Sequence, residues 1–306
     1  MPPLRYLSAG ELEACLPNID ARLDLAAQAL RALAHGSAEM PPKIGVHPRP
    51  GALLHAMPAW LRDSDLVGLK WIAAFPGNRG RGLPTISGLM VLNDPATGVP
   101  TWVMDAARIT AVRTAAVSGV ALRLLAPRDV QRVALIGAGG VQGQVHREVV
   151  RALLPGAEIV TAGTTDEAKQ VAAQAHVVIT MAPIGAANQV LTPNWLADGT
   201  LTVSIDFATY ASAALARAVG TFVVDDRAQF LAYRDAGHFD GYPEPTATLG
   251  ELLDAQAAGQ PIGPNLANHR LPALVNHLGV GLADVVFADA IRQRAEEIDA
   301  GQVLQR

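Results

Sequence analysis

The densest chemical signal in the chain is VALIGAGGVQGQ, residues 133–144. Gly137, Gly139 and Gln142 occupy the positions of a G-x-G-x-x-G/A turn, with Gly140, Val141 and Gly143 beside them. The first glycine permits a tight turn, and the second lets the backbone come close to a pyrophosphate. The helix that follows offers free N–H groups and a positive dipole end. A strand-like run precedes the turn and a helical pattern follows it, which is the context a dinucleotide site requires. The plain alternative is a glycine-rich strand-to-helix turn with no ligand. An acid about 20 residues further on ordinarily binds the adenosine ribose. That position falls in TAGTTDE, residues 161–167, where Thr161, Thr164 and Thr165 precede any acid. The missing strand-end acid favours a 2′-phosphate, hence NADP, but no arginine is adjacent to hold one. NAD and NADP both stay open.

Four isolated polar residues stand in apolar surroundings. Lys70 lies in VGLKWIAAF, residues 67–75. An ammonium there must snorkel, pair or shift its pKa, unless that strand face is exposed. Arg113 lies in ITAVRTAAVSGVALRLLA, residues 109–126. It is either a structural ion-pair partner or an anion clamp, and a bidentate carboxylate contact is the strong form of such a clamp. His55, between Leu54 and Ala56, is either a core histidine or a proton carrier. Asp206 ends the strand-like run LTVSID. Ligands in open α/β sheets bind at the carboxyl ends of strands, which raises Asp206 above an ordinary loop acid. Asp225 and Asp226 end the next strand in the same way, and helix capping accounts for one of them.

Composition excludes several classes. The chain has 306 residues, 50% hydrophobic and 17% charged, with net charge −4. On a prior of about 150 residues per domain this length implies two domains. No Lys/Arg-rich run offers a footprint for nucleic acid or anionic membrane, and 5% aromatics argues against base stacking. Cys15 is the sole cysteine, so no intrachain disulfide forms. The eight histidines are scattered without metal-ligand spacing, and no nucleophile elbow occurs. No apolar run reaches the roughly 18 residues of a membrane span, and no secretory pattern opens the chain. The expectation is a cytoplasmic globular protein without a metal.

The elements that must position these residues fall into two textures. Ser8 with Glu11 has capping-box spacing, so a helix starts near Ala9, and a second helix covers roughly Arg22 to Ala34. Short runs at Ile44–Val46, Leu53–Met57, Val67–Phe75, Gly88–Asn93 and Thr101–Asp105 read as strands, followed by a long helix from about Ala107 to Leu125. From Gln131 onward strand and helix alternate: Arg132–Ile136, Val141–Leu154, Glu158–Thr161, a helix capped by Thr164 and Glu167, then strands at Val177–Met181, Leu201–Ile205 and Phe222–Val224. That alternation predicts a parallel α/β sheet. Thr248 with Glu251 caps a further helix, and a last one runs from about Gly281 to Ala300.

Several stretches together resemble the ornithine cyclodeaminase/μ-crystallin family of NAD(P)-dependent enzymes. They are PPKIGVHPRPGALLHAMPAWL (41–61), GLKWIAAFPGN (68–78), LPTISGLMVLNDPATGVP (83–100), VMDAARITAVRTAAVSG (103–119) and LIGAGGVQGQ (135–144), with weaker similarity in FVVDDRAQF (222–230) and LGVGLADVVFA (278–288). The resemblance implies an α/β fold: a Rossmann-type parallel sheet domain, residues 121–277, inserted into an α+β substrate-binding and dimerisation domain, residues 1–120 plus 278–306. It implies a homodimer. By position it implies that Lys70 and Arg113 hold a substrate carboxylate. Lys43 stands where many members have another arginine, Met57 belongs to the substrate side, and Thr114 lies near the nicotinamide or substrate. The sequence departs from the family in three places besides Lys43. His55 replaces a glutamate of the cyclodeaminases, the acid a diamine's second ammonium needs. Their catalytic aspartate falls two or three positions after Asp206. Gly137 and Val177 are only 40 positions apart, about 20 fewer than a second strand, its helix and a third strand use. Either a strand and helix are missing or the nucleotide half is rebuilt.

The expected function is an NAD(P)H-dependent reductase of a small α-imino acid (a ketimine), or the reverse amino-acid dehydrogenase. Arg113 and Lys43 would fix the carboxylate, Lys70 would polarise the C=N carbon, and Asp206 or His55 would exchange the proton on nitrogen. An ornithine- or lysine-type cyclodeaminase is the enzyme alternative. A dimeric small-carboxylate-binding protein with a degenerate cofactor site is the non-enzyme alternative.

Overall fold

The structure is a computed structural model and describes residues 2–183, 188–261 and 272–305. The chain begins with β1 (Leu4–Leu7), α1 (Ala9–Ala14), α2 (Ile19–Ala34), β2 (Ala38–Glu39), β3 (Ile44–Arg49), β4 (Ala52–Leu61), β5 (Leu66–Ala74), β6 (Ile86–Asn93), β7 (Pro100–Asp105) and α3 (Ala106–Leu125). It continues through β8 (Arg132–Ile136), α4 (Val141–Leu153), β9 (Glu158–Ala162), α5 (Thr165–Ala172), β10 (Val177–Thr180), β11 (Leu201–Ser204), α6 (Ala213–Ala218), β12 (Thr221–Val224), α7 (Arg227–Asp235), β13 (Ala247–Thr248), α8 (Leu249–Ala257) and β14 (Ala273–Asn276). The helix α9 (Gly281–Glu297) and the strand β15 (Gln302–Leu304) follow.

Local chemistry explains most of these boundaries. All three expected capping boxes form, at Ser8/Glu11, Thr164/Glu167 and Thr248/Glu251. The helix α2 starts three residues earlier than the sequence reading placed it, because Asn18 accepts the Ala21 N–H and caps it. The strand β3 runs on through Pro48 to Arg49. It pairs only with β4, so a residue without an N–H is tolerated there.

Backbone packing divides the chain into two units, Met1–Arg113 with Val280–Arg306, and Thr114–Gly279. The first unit holds an eight-stranded mixed sheet in the order β15-β1-β7-β6-β5-β4-β2, with β3 also on β4. Only the β1–β7 pair is parallel. The helix α9 packs across β4, β5 and β6 and against α2. On the covered face Met57, Lys70, Met90 and Met104 lie directly opposite one another on successive strands, all buried. On the other face the row Ile44, Ala56, Trp71 and Leu89 is apolar, yet Ile44 is 70%, Trp71 40% and Leu89 43% exposed.

The second unit is a fully parallel seven-stranded sheet, β13-β12-β14-β11-β10-β8-β9. Its central strands β10, β11 and β12 are buried along their whole length, as a parallel sheet covered on both faces requires. In a doubly wound sheet of order 3-2-1-4-5-6, the strand after the glycine turn's neighbour lies outside it. Here β9 is the edge, and among the described residues no strand lies beyond it. The chain leaves β9, forms α5 and returns at once to β10 on the other side of β8. The 40-position spacing therefore reflects one omitted strand: helix, strand and helix fill the available length. No helix of the described residues is long and apolar enough to cross a membrane.

Candidate active site

In the first unit the pleat of β5 turns Gly68, Lys70 and Ile72 toward the covered face. Lys70 is 1% exposed, and its Nζ lies 2.6 Å from Asp284 Oδ2 and 3.3 Å from Thr110 Oγ1. Arg113, in α3, donates from Nε to the other carboxylate oxygen of Asp284 at 3.0 Å. Asp284, on α9, is fully buried. Its approach is prepared one turn earlier by Gly281, where a Cβ would come within 3.0 Å of the Met57 carbonyl oxygen. A side chain at 281 would require β4 or α9 to give by a few tenths of an ångström.

Lys70 and Arg113, both buried, share the single acid Asp284, so these three groups carry surplus positive charge; Lys43 is buried as well. The Nη1 of Arg113 is buried with no hydrogen-bond partner. Burial, then the Arg113 charge, push the Lys70 ammonium down to about 7; Asp284 opposes this and Lys43 adds to it. A buried guanidinium edge beside a reluctant ammonium is chemically matched by a carboxylate from outside the chain. His55 and Met57 sit two residues apart on β4, both buried, and Met57 is directly opposite Lys70. Gly45 on β3 faces His55, and a Cβ there would lie 2.3 Å from its Cδ2, so only glycine leaves the imidazole room. The structure thus brings Lys70, Arg113, His55, Met57 and Lys43 into one unit.

The other sequence candidates belong to the second unit. Gly137 adopts φ +77, and a Cβ on it would lie 2.8 Å from Ala182 Cα. A Cβ on Gly143 would lie 2.0 Å from the Ala138 carbonyl oxygen, so the start of α4 packs directly on the turn. A Cβ on Gly139 or Gly140 meets nothing within 4 Å. Gly140 caps α4 without a side-chain hydrogen bond, and Val141 is exposed. The turn therefore has an open side lined by backbone, above a helix start whose N–H groups need an acceptor. These features fit a dinucleotide pyrophosphate. Gln142 is tied to His146 at 3.0 Å, and His146 and His277 each lie 2.9 Å from Ser118 Oγ. Burial pushes His146 down to about 4, so it is neutral. Thr114, in α3, is buried in this unit.

At the end of β9, Gly137 N–H donates to the Ala162 carbonyl at 2.9 Å. Thr161 is exposed, and the Thr164 hydroxyl accepts the Glu167 N–H at 3.3 Å. Asp206 follows β11 and is 3% exposed. Its Oδ1 accepts from Thr209 N at 3.0 Å, Tyr210 N at 3.2 Å and Ser204 Oγ at 3.2 Å, while Oδ2 is buried with no partner. Burial raises its pKa against those hydrogen bonds. Asp225 accepts from Gly279 N at 2.6 Å, and Asp226 caps α7.

Asp284 went unassigned in the sequence reading. Its signal was a lone acid within the apolar stretch LGVGLADVVFA, the same kind of signal that singled out Lys70 and Arg113.

Residues 12–170 match the model of the ornithine cyclodeaminase/mu-crystallin family. The nodulation efficiency protein NfeD of Rhizobium meliloti is 37% identical over 321 residues, spanning 99% of this chain and 98% of that protein. The alanine dehydrogenase of Archaeoglobus fulgidus is 39% identical over 145 residues, 47% of this chain and 44% of that protein. Among solved structures, the Δ1-pyrroline-2-carboxylate reductase of Thermococcus litoralis, in complex with NADH and L-proline, shares the fold with TM-score 0.82 and 24% identity, covering 98% of this chain and 100% of that one. Matched over about half its length by the family model and over nearly all of it by a relative, the chain belongs to the ornithine cyclodeaminase/mu-crystallin family.

Proposed function

We propose that the protein is an NAD(P)H-dependent reductase of a small α-imino acid, able to run in reverse as an amino-acid dehydrogenase. The observation that carries this reading is the unfilled Arg113 Nη1 beside the Lys70–Asp284 pair. The similarity to an alanine dehydrogenase, and the shared fold with a pyrroline-carboxylate reductase, support the same chemistry. In this reading the first unit binds substrate and the second binds the dinucleotide.

Arg113 and Lys43 hold the substrate carboxylate, and Met57 lines the same face of the sheet. Lys70, poised near neutrality, polarises the C=N bond and stabilises charge developing on it. Reduction adds a proton at nitrogen, for which His55 and Asp206 are the acid–base candidates. Gly137, Gly139, Gly140, Val141 and Gln142 form the cofactor turn, and Thr114, Thr161 and Thr164 complete the cofactor contacts. The nicotinamide dinucleotide, when bound, supplies hydride to the imine carbon. A cyclodeaminase acting on a diamine needs a free acid for the second ammonium. Asp284 is committed to Lys70 and Arg113, and His55 stands at the other position, which disfavours that alternative.

One observation favours a second reading, a carboxylate-binding protein without turnover: the sheet ends at β9, on the adenosine side. Titrating NADH and NADPH while following nicotinamide fluorescence separates the two. Saturable binding, then consumption of NAD(P)H with pyruvate plus methylamine or with a cyclic imino acid, supports the reductase; no saturable signal with either nucleotide sinks it.

The proposal includes a homodimer through the exposed row of Ile44, Trp71 and Leu89. Light scattering coupled to gel filtration is expected to give twice the chain mass, and Trp71→Glu to shift it toward the monomer.

A further inference from the structure

The usual dinucleotide sheet places an acid at the end of the strand after the glycine turn, where it accepts a hydrogen bond from the adenosine ribose. Here β9 ends in Thr161 and Ala162 with no acid. A carboxylate nonetheless returns to that spot from the first turn of α5. Glu167 Oε2 accepts the Gly163 N–H at 2.9 Å and the Thr164 N–H at 3.1 Å, and the Thr164 hydroxyl fixes the Glu167 backbone. This strand end abuts the glycine turn, since Ile136 and Ala162 stand side by side and Gly137 N–H donates to Ala162.

The arrangement does two things. It fills the two backbone donors that would otherwise receive an anion. It also fixes a negative charge there, with Asp166 beside it; the nearest cation in sequence, Lys169, belongs to the last turn of α5. A 2′-phosphate carries a charge of about −2 and would meet both obstacles. A ribose 2′-hydroxyl would instead donate to Glu167 Oε1, the oxygen not engaged by Gly163 and Thr164. We infer that Glu167, supplied by the helix cap rather than the strand, makes this protein select NAD over NADP. The three hydrogen bonds to Gly163 and Thr164 also hold Glu167 below the usual carboxylate range, so it stays charged at neutral pH. The inference rests on the dinucleotide reading of the glycine turn.

The test is equilibrium titration of the full chain with NADH and with NADPH, followed by nicotinamide fluorescence. NADH is expected to bind at least about tenfold more tightly, the scale of one close like-charge contact at an exposed site. Glu167→Gln keeps the capping box, because glutamine serves at that position. It is expected to bring the two affinities to within about threefold by tightening NADPH. Asp166→Asn is expected to leave the ratio within about twofold. Equal or tighter binding of NADPH by the unmodified chain, or an unchanged ratio in Glu167→Gln, overturns the assignment and leaves the dinucleotide reading standing. Failure of both nucleotides to bind overturns that reading, and this inference with it.

Discussion

The Lys70 ammonium lies 2.6 Å from Asp284 Oδ2, and neither side chain is more than 1% exposed. Two elements that are distant in sequence are thus joined by a charge pair that has given up its water. Such pairs contribute little net stability when formed, but removing one partner is costly because the other is left uncompensated. Here one acid answers two cations. Asp284→Ala is therefore expected to destabilise the protein by about 3–5 kcal/mol, read as a lower urea midpoint at an unchanged slope. A loss below about 1 kcal/mol would mean that water or another group reaches the cations.

The same pair sets a pH dependence. With Lys70 held at about 7, its ammonium is progressively lost above neutrality, and the reductive kcat/KM is expected to fall above about pH 7. Lys70→Arg, which stays charged, should lack that falling limb, whatever its absolute rate. The linkage to stability has a definite sign. Between about 7 and the ordinary lysine value of 10.5 the unfolded chain binds a proton that the folded chain does not. Lys70 therefore makes unfolding free energy rise with pH across that window. A kcat/KM flat to pH 9 would show that Lys70 is not the titrating group.

Arg113→Lys retains the charge and can still meet Asp284, but it removes the guanidinium edge that holds Nη1. One hydrogen bond to a charged group contributes about 1.5–3 kcal/mol, so KM for the imino acid should rise about 10- to 150-fold. NADH affinity should hardly change. Parallel loss of NADH binding would place Arg113 on the cofactor rather than the substrate.

A glycine of the turn and one at the start of α4 should fail in opposite ways. Gly139→Val adds a Cβ where nothing lies within 4 Å, on the open side of the turn. The melting temperature is expected to hold while dinucleotide binding is lost. Gly143→Ala places its Cβ 2.0 Å from the Ala138 carbonyl oxygen. It should destabilise the protein by about 1–3 kcal/mol, the usual range for overpacking. Calorimetry with and without NADH distinguishes the two.

Features governed by neighbours along the chain were legible in the sequence. The capping boxes span three residues each, and the glycine turn is contiguous. The spacing from Gly137 to Val177 exposed the omitted strand because chain length bounds what can be built. Arg113 was open between ion-pair partner and anion clamp; the geometry gives it the first role through Nε, while Nη1 is buried without a hydrogen-bond partner and the second role is the one proposed above. Asp284 was not legible in the same way. It lies 214 positions from Lys70, and no local rule connects a lone acid near the chain end to a lysine in the fifth strand. Glu167 was seen as a helix cap, but its carboxylate's second position, at the end of β9, appears only when the strand and helix are placed together.

The first unit is discontinuous, and that has a consequence for biosynthesis. Lys70 and Arg113 leave the ribosome early, whereas Asp284 follows only after the whole of Thr114–Gly279 has been made. Until then two cations have no acid, and the face of the sheet that α9 covers stays open. The first unit can therefore be completed only after the parallel-sheet unit has been synthesised.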